Sequence, residues 1–129
     1  MKPTLLTIFV CALAPVVWAQ GVGACSNQSA PQEFETYCRA LETNRNSSLA
    51  HYRIAELLFL ESNWQSAANE FRETLNGNLD PKWTEVWAHI GLGKIFETTN
   101  QRDRSLNEYR QARRTGRHCS ARRGHRRGW

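Results

Sequence analysis

No catalytic pattern runs through this sequence. It has no His-Glu-x-x-His pair, no phosphate-binding glycine loop and no nucleophile elbow, so hydrolytic and nucleotide chemistry find no residues to carry them. Gly91-x-Gly93 lies inside a helical pattern rather than after a strand, and reads as packing. Cysteine is scarce: Cys11, Cys25, Cys38 and Cys119 show no Cys-x-x-Cys and no Cys/His spacing of the kind a structural zinc site needs. An enzyme, a cofactor and a metal are therefore not expected. Outside the first 19 residues there is no long apolar run, and that first run is broken by Pro15, too short and badly flanked for a membrane span. Acidic residues are absent beyond position 112.

The N-terminal run fits an export signal. Lys2 supplies the positive start, Leu5–Ala14 the apolar centre, and Val17-x-Ala19 the small residues before a cut at Gln20. Residues 1–19 are thus expected to be removed, with residues 20–28 a flexible lead-in to the fold and the mature chain periplasmic or secreted. A second reading stands beside it. Val22-Gly23-Ala24-Cys25 resembles a bacterial lipobox, which would anchor the chain by a lipid on Cys25. Export would remove Cys11 and leave three cysteines. An oxidising compartment permits a Cys25–Cys38 bridge, while a packed free thiol at Cys38 is the alternative.

What is present is a repeat. Offset by 38 residues, Ala50-His51 falls on Ala88-His89, Ile54-Ala55 on Leu92-Gly93, Leu58 on Phe96 and Ala67 on Ser105. Asn69-Glu70-Phe71-Arg72 falls on Asn107-Glu108-Tyr109-Arg110. A self-match at one fixed offset is the mark of stacked repeats. Within the first copy, Ile54, Ala55, Leu57 and Leu58 form one apolar stripe. Trp64, Ala67, Ala68, Phe71 and Leu75 form a second at helical spacing. Ser62-Asn63 separates them, with Asn suited to a left-handed turn and to capping the next helix. Asp80-Pro81 reads as the N-cap and first residue of the following helix. Each copy is a helix–turn–helix. Small residues at 55, 67, 93 and 105 would let helix backbones approach, with Phe71 and Tyr109 filling the groove between them. His51 and His89 hold equivalent positions, which predicts one structural role used twice rather than catalysis.

Ile54-Ala55-x-x-Leu58, Ala67-x-x-x-Phe71 and Pro81 resemble the tetratricopeptide repeat, and Leu92-Gly93-x-x-Phe96 with Ser105-x-x-x-Tyr109 resembles a second copy. The chain departs from the family in having His at 51 and 89 and in its 38-residue period. The second copy also lacks a closing Pro. The expected architecture is all-α, a short solenoid of antiparallel helix pairs with about five helices. It comprises a half repeat at 29–44, with Phe34, Tyr37, Cys38 and Leu41 facing inward, and repeats at 48–81 and 86–112. Ser29, Pro31 and Gln32 would start the first helix. The resemblance implies a non-catalytic scaffold whose first helices line a groove for a protein or peptide. Tyr52, Glu56, Phe59, Ile90, Lys94 and Glu97 are the groove candidates, and Glu56 and Lys94 make it mixed in charge. The open ends of such a stack could also self-associate. Trp83, Val86 and Trp87 add apolar surface that either packs on the 76–79 linker or stays exposed for a partner.

The last segment differs in kind. Seven arginines lie beyond residue 112, so the rest of the chain is net −2 against +5 for the whole. With three glycines and few apolar residues, positions 113–129 are expected to be disordered. They are either an inert appendage or a contact for nucleic acid or an anionic membrane.

Overall fold

The structure, a computed structural model, describes residues 32–124, with side chains through residue 119. The export signal at 1–19, the lead-in at 20–28, Cys25, the Ser29 cap, Pro31 and residues 125–129 lie outside the described residues. The described chain is all-α. Five helices follow in order: α1 (Gln32–Thr43), α2 (Ser48–Leu60), α3 (Trp64–Asn76), α4 (Trp83–Thr98) and α5 (Arg102–Gly124). Consecutive helices pack on one another, and α2 also touches α4. Among the described residues no helix is long and apolar enough to cross a membrane.

The two hairpins, α2–α3 and α4–α5, turn in the same way. Ser62 and Asn100, 38 residues apart, take left-handed φ values of 60° and 59°. In the first hairpin Asn63 N–H donates to Leu58 O at 2.9 Å and Ser62 N–H to Phe59 O at 3.0 Å. In the second, Gln101 N–H donates to Phe96 O at 2.7 Å and Asn100 N–H to Glu97 O at 3.1 Å. This pairing satisfies the last carbonyls of the outgoing helix. The left-handed residue in the first turn is Ser62, not its neighbour. Asn63 instead caps α3, its side chain accepting from Ser66 N–H.

Packing follows the apolar stripes. Ile54, Ala55, Ala67 and Ala88 are fully enclosed, and Leu58, Phe71, Leu92 and Phe96 nearly so. On α1, Phe34 is buried while Tyr37, Cys38 and Leu41 pack against the same core. Cys38 is disulfide-bonded. The proposed partner Cys25 lies outside the described residues.

The glycines of α4 mark the closest approaches. A methyl group on Gly91 would overlap the Phe71 ring of α3, and one on Gly93 would overlap the Tyr109 ring of α5. Ala55, Ala67 and Ser105 are buried at the other crossings. The aromatic at 71 therefore reaches across from one hairpin to the next, while that at 109 stays within its own.

Two further expectations are corrected. Asp80-Pro81 does not open α4. The helix begins at Trp83, with Lys82 at its N-cap and no side-chain cap. Asp80 is drawn into the linker, its N–H donating to Asn78 Oδ1 at 3.1 Å, while Pro81 O accepts from the N–H and Oγ1 of Thr84 at 2.9 and 2.8 Å. The linker folds back onto the start of α2. Buried Ser48 Oγ donates to Thr74 O at 2.8 Å and accepts from Leu79 N–H at 2.9 Å, and Asn78 Oδ1 accepts from Ser48 N–H at 3.2 Å. The second correction concerns the arginine-rich segment expected to be disordered over 113–129. Its residues 113–124 continue α5 without a break. Composition argued from the lack of core-forming residues. Yet Arg is among the better helix formers, no proline interrupts the run, and a helix already nucleated on α4 extends at little further cost.

Candidate functional site

The helices that open each hairpin, α2 and α4, touch one another, and one face of each borders a common cleft. Residues at 52, 56 and 59 share that face of α2, and those at 87, 90 and 94 share it on α4, because three- and four-residue steps return to one side of a helix. Between them, closed on a third side by Glu33 and Tyr37 of α1, lies an open cleft of about 450 Å³. Tyr52, Glu56, Phe59, Ile90 and Lys94 all line it. Glu97, the sixth groove candidate, does not. Its carboxylate accepts from Tyr109 OH at 2.9 Å across the hairpin, which turns it toward α5.

The cleft has an ordered polar wall. Tyr52 OH donates to Glu56 Oε1 at 2.6 Å, and Arg53 Nη1 donates to Glu56 Oε2 at 2.8 Å. Burial and the adjoining Glu56 carboxylate raise the Tyr52 pKa well above its usual 10, so the phenol remains a donor. The Tyr52 ring meets Trp83 edge-on at 5.3 Å and Phe71 at 5.9 Å, and Arg53 lies 5.9 Å from the centre of the Trp83 ring. With Glu56 occupied twice over, Lys94 and Glu33 are the lining charges that pair with no described residue. The apolar wall is less enclosed. Leu60 is 79% exposed and Trp87 49%, and both line the cleft, with Trp83 at 39% just beyond. Of the surplus aromatics of α4, Trp83 packs on Tyr52 of α2 and is partly exposed, and Trp87 is half-exposed.

Sequence reasoning missed Arg53, Leu60, Trp87 and the α1 residues as lining. Trp87 had a signal in the surplus of aromatics at the start of the second copy. The contribution of α1 had none, since nothing in the repeat specifies the angle at which a half repeat leans over its neighbour.

The histidines lie outside the cleft, facing the second helix of each hairpin. His51 Nδ1 is 2.8 Å from Glu70 Oε2, and His89 Nδ1 is 2.7 Å from Glu108 Oε2, the same contact 38 residues apart. His51 Nε2 also faces Arg45 O at 3.0 Å. With an acceptor at each nitrogen, the His51 ring satisfies both only as the imidazolium. Burial works against that charge. The Glu70 and Arg45 hydrogen bonds and the charges of Glu70 and Glu73 outweigh it, so the pKa of His51 rises above 6.5. These pairs clasp each hairpin and account for histidine at both positions.

Compared with known proteins, the chain matches no protein-family model, no curated protein and no solved structure.

Proposed function

We propose that this protein is a non-catalytic scaffold module of the tetratricopeptide type, exported and cut before Gln20, whose α2–α4 cleft receives a peptide segment of a protein partner. The observation that carries this reading is the cleft itself. Its volume of about 450 Å³ falls in the range of binding pockets, roughly 300–1,000 Å³. Its rim exposes Leu60 and Trp87 beside an internally satisfied polar wall. Exposed tryptophan and leucine gathered at one concavity are what a partner covers, and Trp is among the residues that dominate such contacts.

The charges define the partner's chemistry. Lys94 calls for an acidic side chain and Glu33 for a basic one, with a bulky apolar residue between them entering against Phe59, Leu60, Trp87 and Ile90. Long-range attraction is weak here because the two charges oppose, so recognition rests on burial of the apolar residue and on register. A random peptide library selected on the full chain tests this. Enriched sequences should carry an apolar residue next to an acidic one, and selection on Lys94→Glu should replace that acid by Lys or Arg. Trp87→Ala should abolish enrichment. Sequences indifferent to both substitutions would rule the cleft out as the binding site.

A further inference from the structure

The continuation of α5 through the arginine-rich segment creates a surface that a disordered tail would not have. Arg110, Arg113, Arg114 and Arg117 are spaced i, i+3, i+4, i+7, which places them within an arc of roughly 100° on one side of the helix. All four are exposed, and together they line an open hollow of about 260 Å³. That side points away from α4, since Ser105 and Ala112, the buried residues among those described on α5, occupy another face. None of the four pairs with a described carboxylate. The closest acid along the helix, Glu108, is already held by His89 at 2.7 Å. Four arginines thus project in a row from one helical face, with no described carboxylate partner.

We infer that this face of α5 is a second binding site, distinct from the cleft, and that its ligand is the phosphate backbone of nucleic acid. Three features favour that ligand. The cations are all arginine, whose planar fork of donors matches phosphate oxygens in pairs where lysine offers a point charge. The row is about 10 Å long at 1.5 Å per residue, which spans roughly three nucleotide steps of one strand at 3.4 Å each. The third feature argues against a bilayer. A helix lying in a membrane interface needs an apolar face to bury, and the inward face of α5 is spent on α4. The contact carries no base reading, because every donor in the row addresses phosphate. The site is independent of the peptide cleft and stands if that reading fails.

The test uses the full chain and fluorescent duplex DNA, with binding followed by anisotropy. If each arginine neutralises one phosphate, affinity should fall on the order of 100-fold between about 50 mM and about 200 mM salt. Changing all four residues to Gln should weaken binding at least about tenfold and remove most of that salt dependence. Gln keeps the helix, which circular dichroism verifies. A control with Arg39, Arg45, Arg72 and Arg102 changed to Gln has the same net charge but leaves the row intact, and should bind close to wild type. Equal losses in the two variants would mean that net charge alone is responsible and would overturn the site. Vesicles of phosphatidylserine and phosphatidylcholine form the other arm. Binding to vesicles that DNA does not compete away would overturn the choice of nucleic acid.

Discussion

Two glycine-to-alanine substitutions on neighbouring helices should have opposite signs. At Gly91 the added methyl group would collide with three atoms of the Phe71 ring, itself 3% exposed and seated against Tyr52. Overpacking a tight core contact costs about 1–3 kcal/mol. Alanine in a helix interior recovers about 1 kcal/mol relative to glycine. The net for Gly91→Ala is then about 1 kcal/mol of destabilisation, a fall of roughly 4–8 °C in Tm for a domain of this size. At Gly116 the same methyl group meets nothing within 4 Å beyond the neighbouring backbone of its own helix. Only the helix term remains, and Gly116→Ala should stabilise the end of α5 by about 0.5–1 kcal/mol. Thermal melting by circular dichroism reads the first, and amide hydrogen exchange around residue 116 reads the second, slowed about two- to fivefold. A double-mutant cycle with Phe71→Leu isolates the ring contact, because the cost at Gly91 should shrink once the ring is gone. A raised Tm for Gly91→Ala would refute the close approach of α3 and α4. Unchanged exchange in Gly116→Ala would refute the helical continuation of α5, and with it the arginine row.

Other outcomes follow from single contacts. Ser48→Ala strips Thr74 O and Leu79 N–H of their buried partner, and the melt should report a loss of about 1–3 kcal/mol. Ala55→Glu would place a charge at a fully enclosed crossing and should cost about 3–5 kcal/mol; an unchanged melting temperature would contradict the stacked hairpins. The His51 clasp should give a pH-dependent stability. A pKa raised in the folded state means that the native chain binds the proton more tightly. The contribution is therefore complete below the unfolded value of about 6.5 and is lost as pH rises through the higher folded value. Tm measured across this range should fall with pH in wild type and fall less in Glu70→Gln; equal slopes would deny the pair its role.

Much of the hairpin architecture was legible because its determinants are short-range and occur twice. The 38-residue offset placed His51 and His89 and the two inter-helix turns in equivalent roles, whereas the matched Phe71 and Tyr109 pack differently, one between hairpins and one within its own. Helical periodicity identified the buried faces of α2 and α3, since a stripe recurring at three and four residues has one side to hide. What lay beyond that reach depends on how separate helices meet. The fold-back of the 76–82 linker onto Ser48 joins residues about 30 apart in the chain, and Gly77 was its one local trace, placed where a side chain would overlap the Ser48 hydroxyl. The third wall of the cleft comes from the tilt of α1, and the exclusion of Glu97 from the reach of Tyr109 across its hairpin. The arginine segment shows the division most plainly. Composition argued that it had no core of its own, but whether it ordered depended on a neighbour: α4 holds the start of α5, and a helix once begun carries good helix formers along with it.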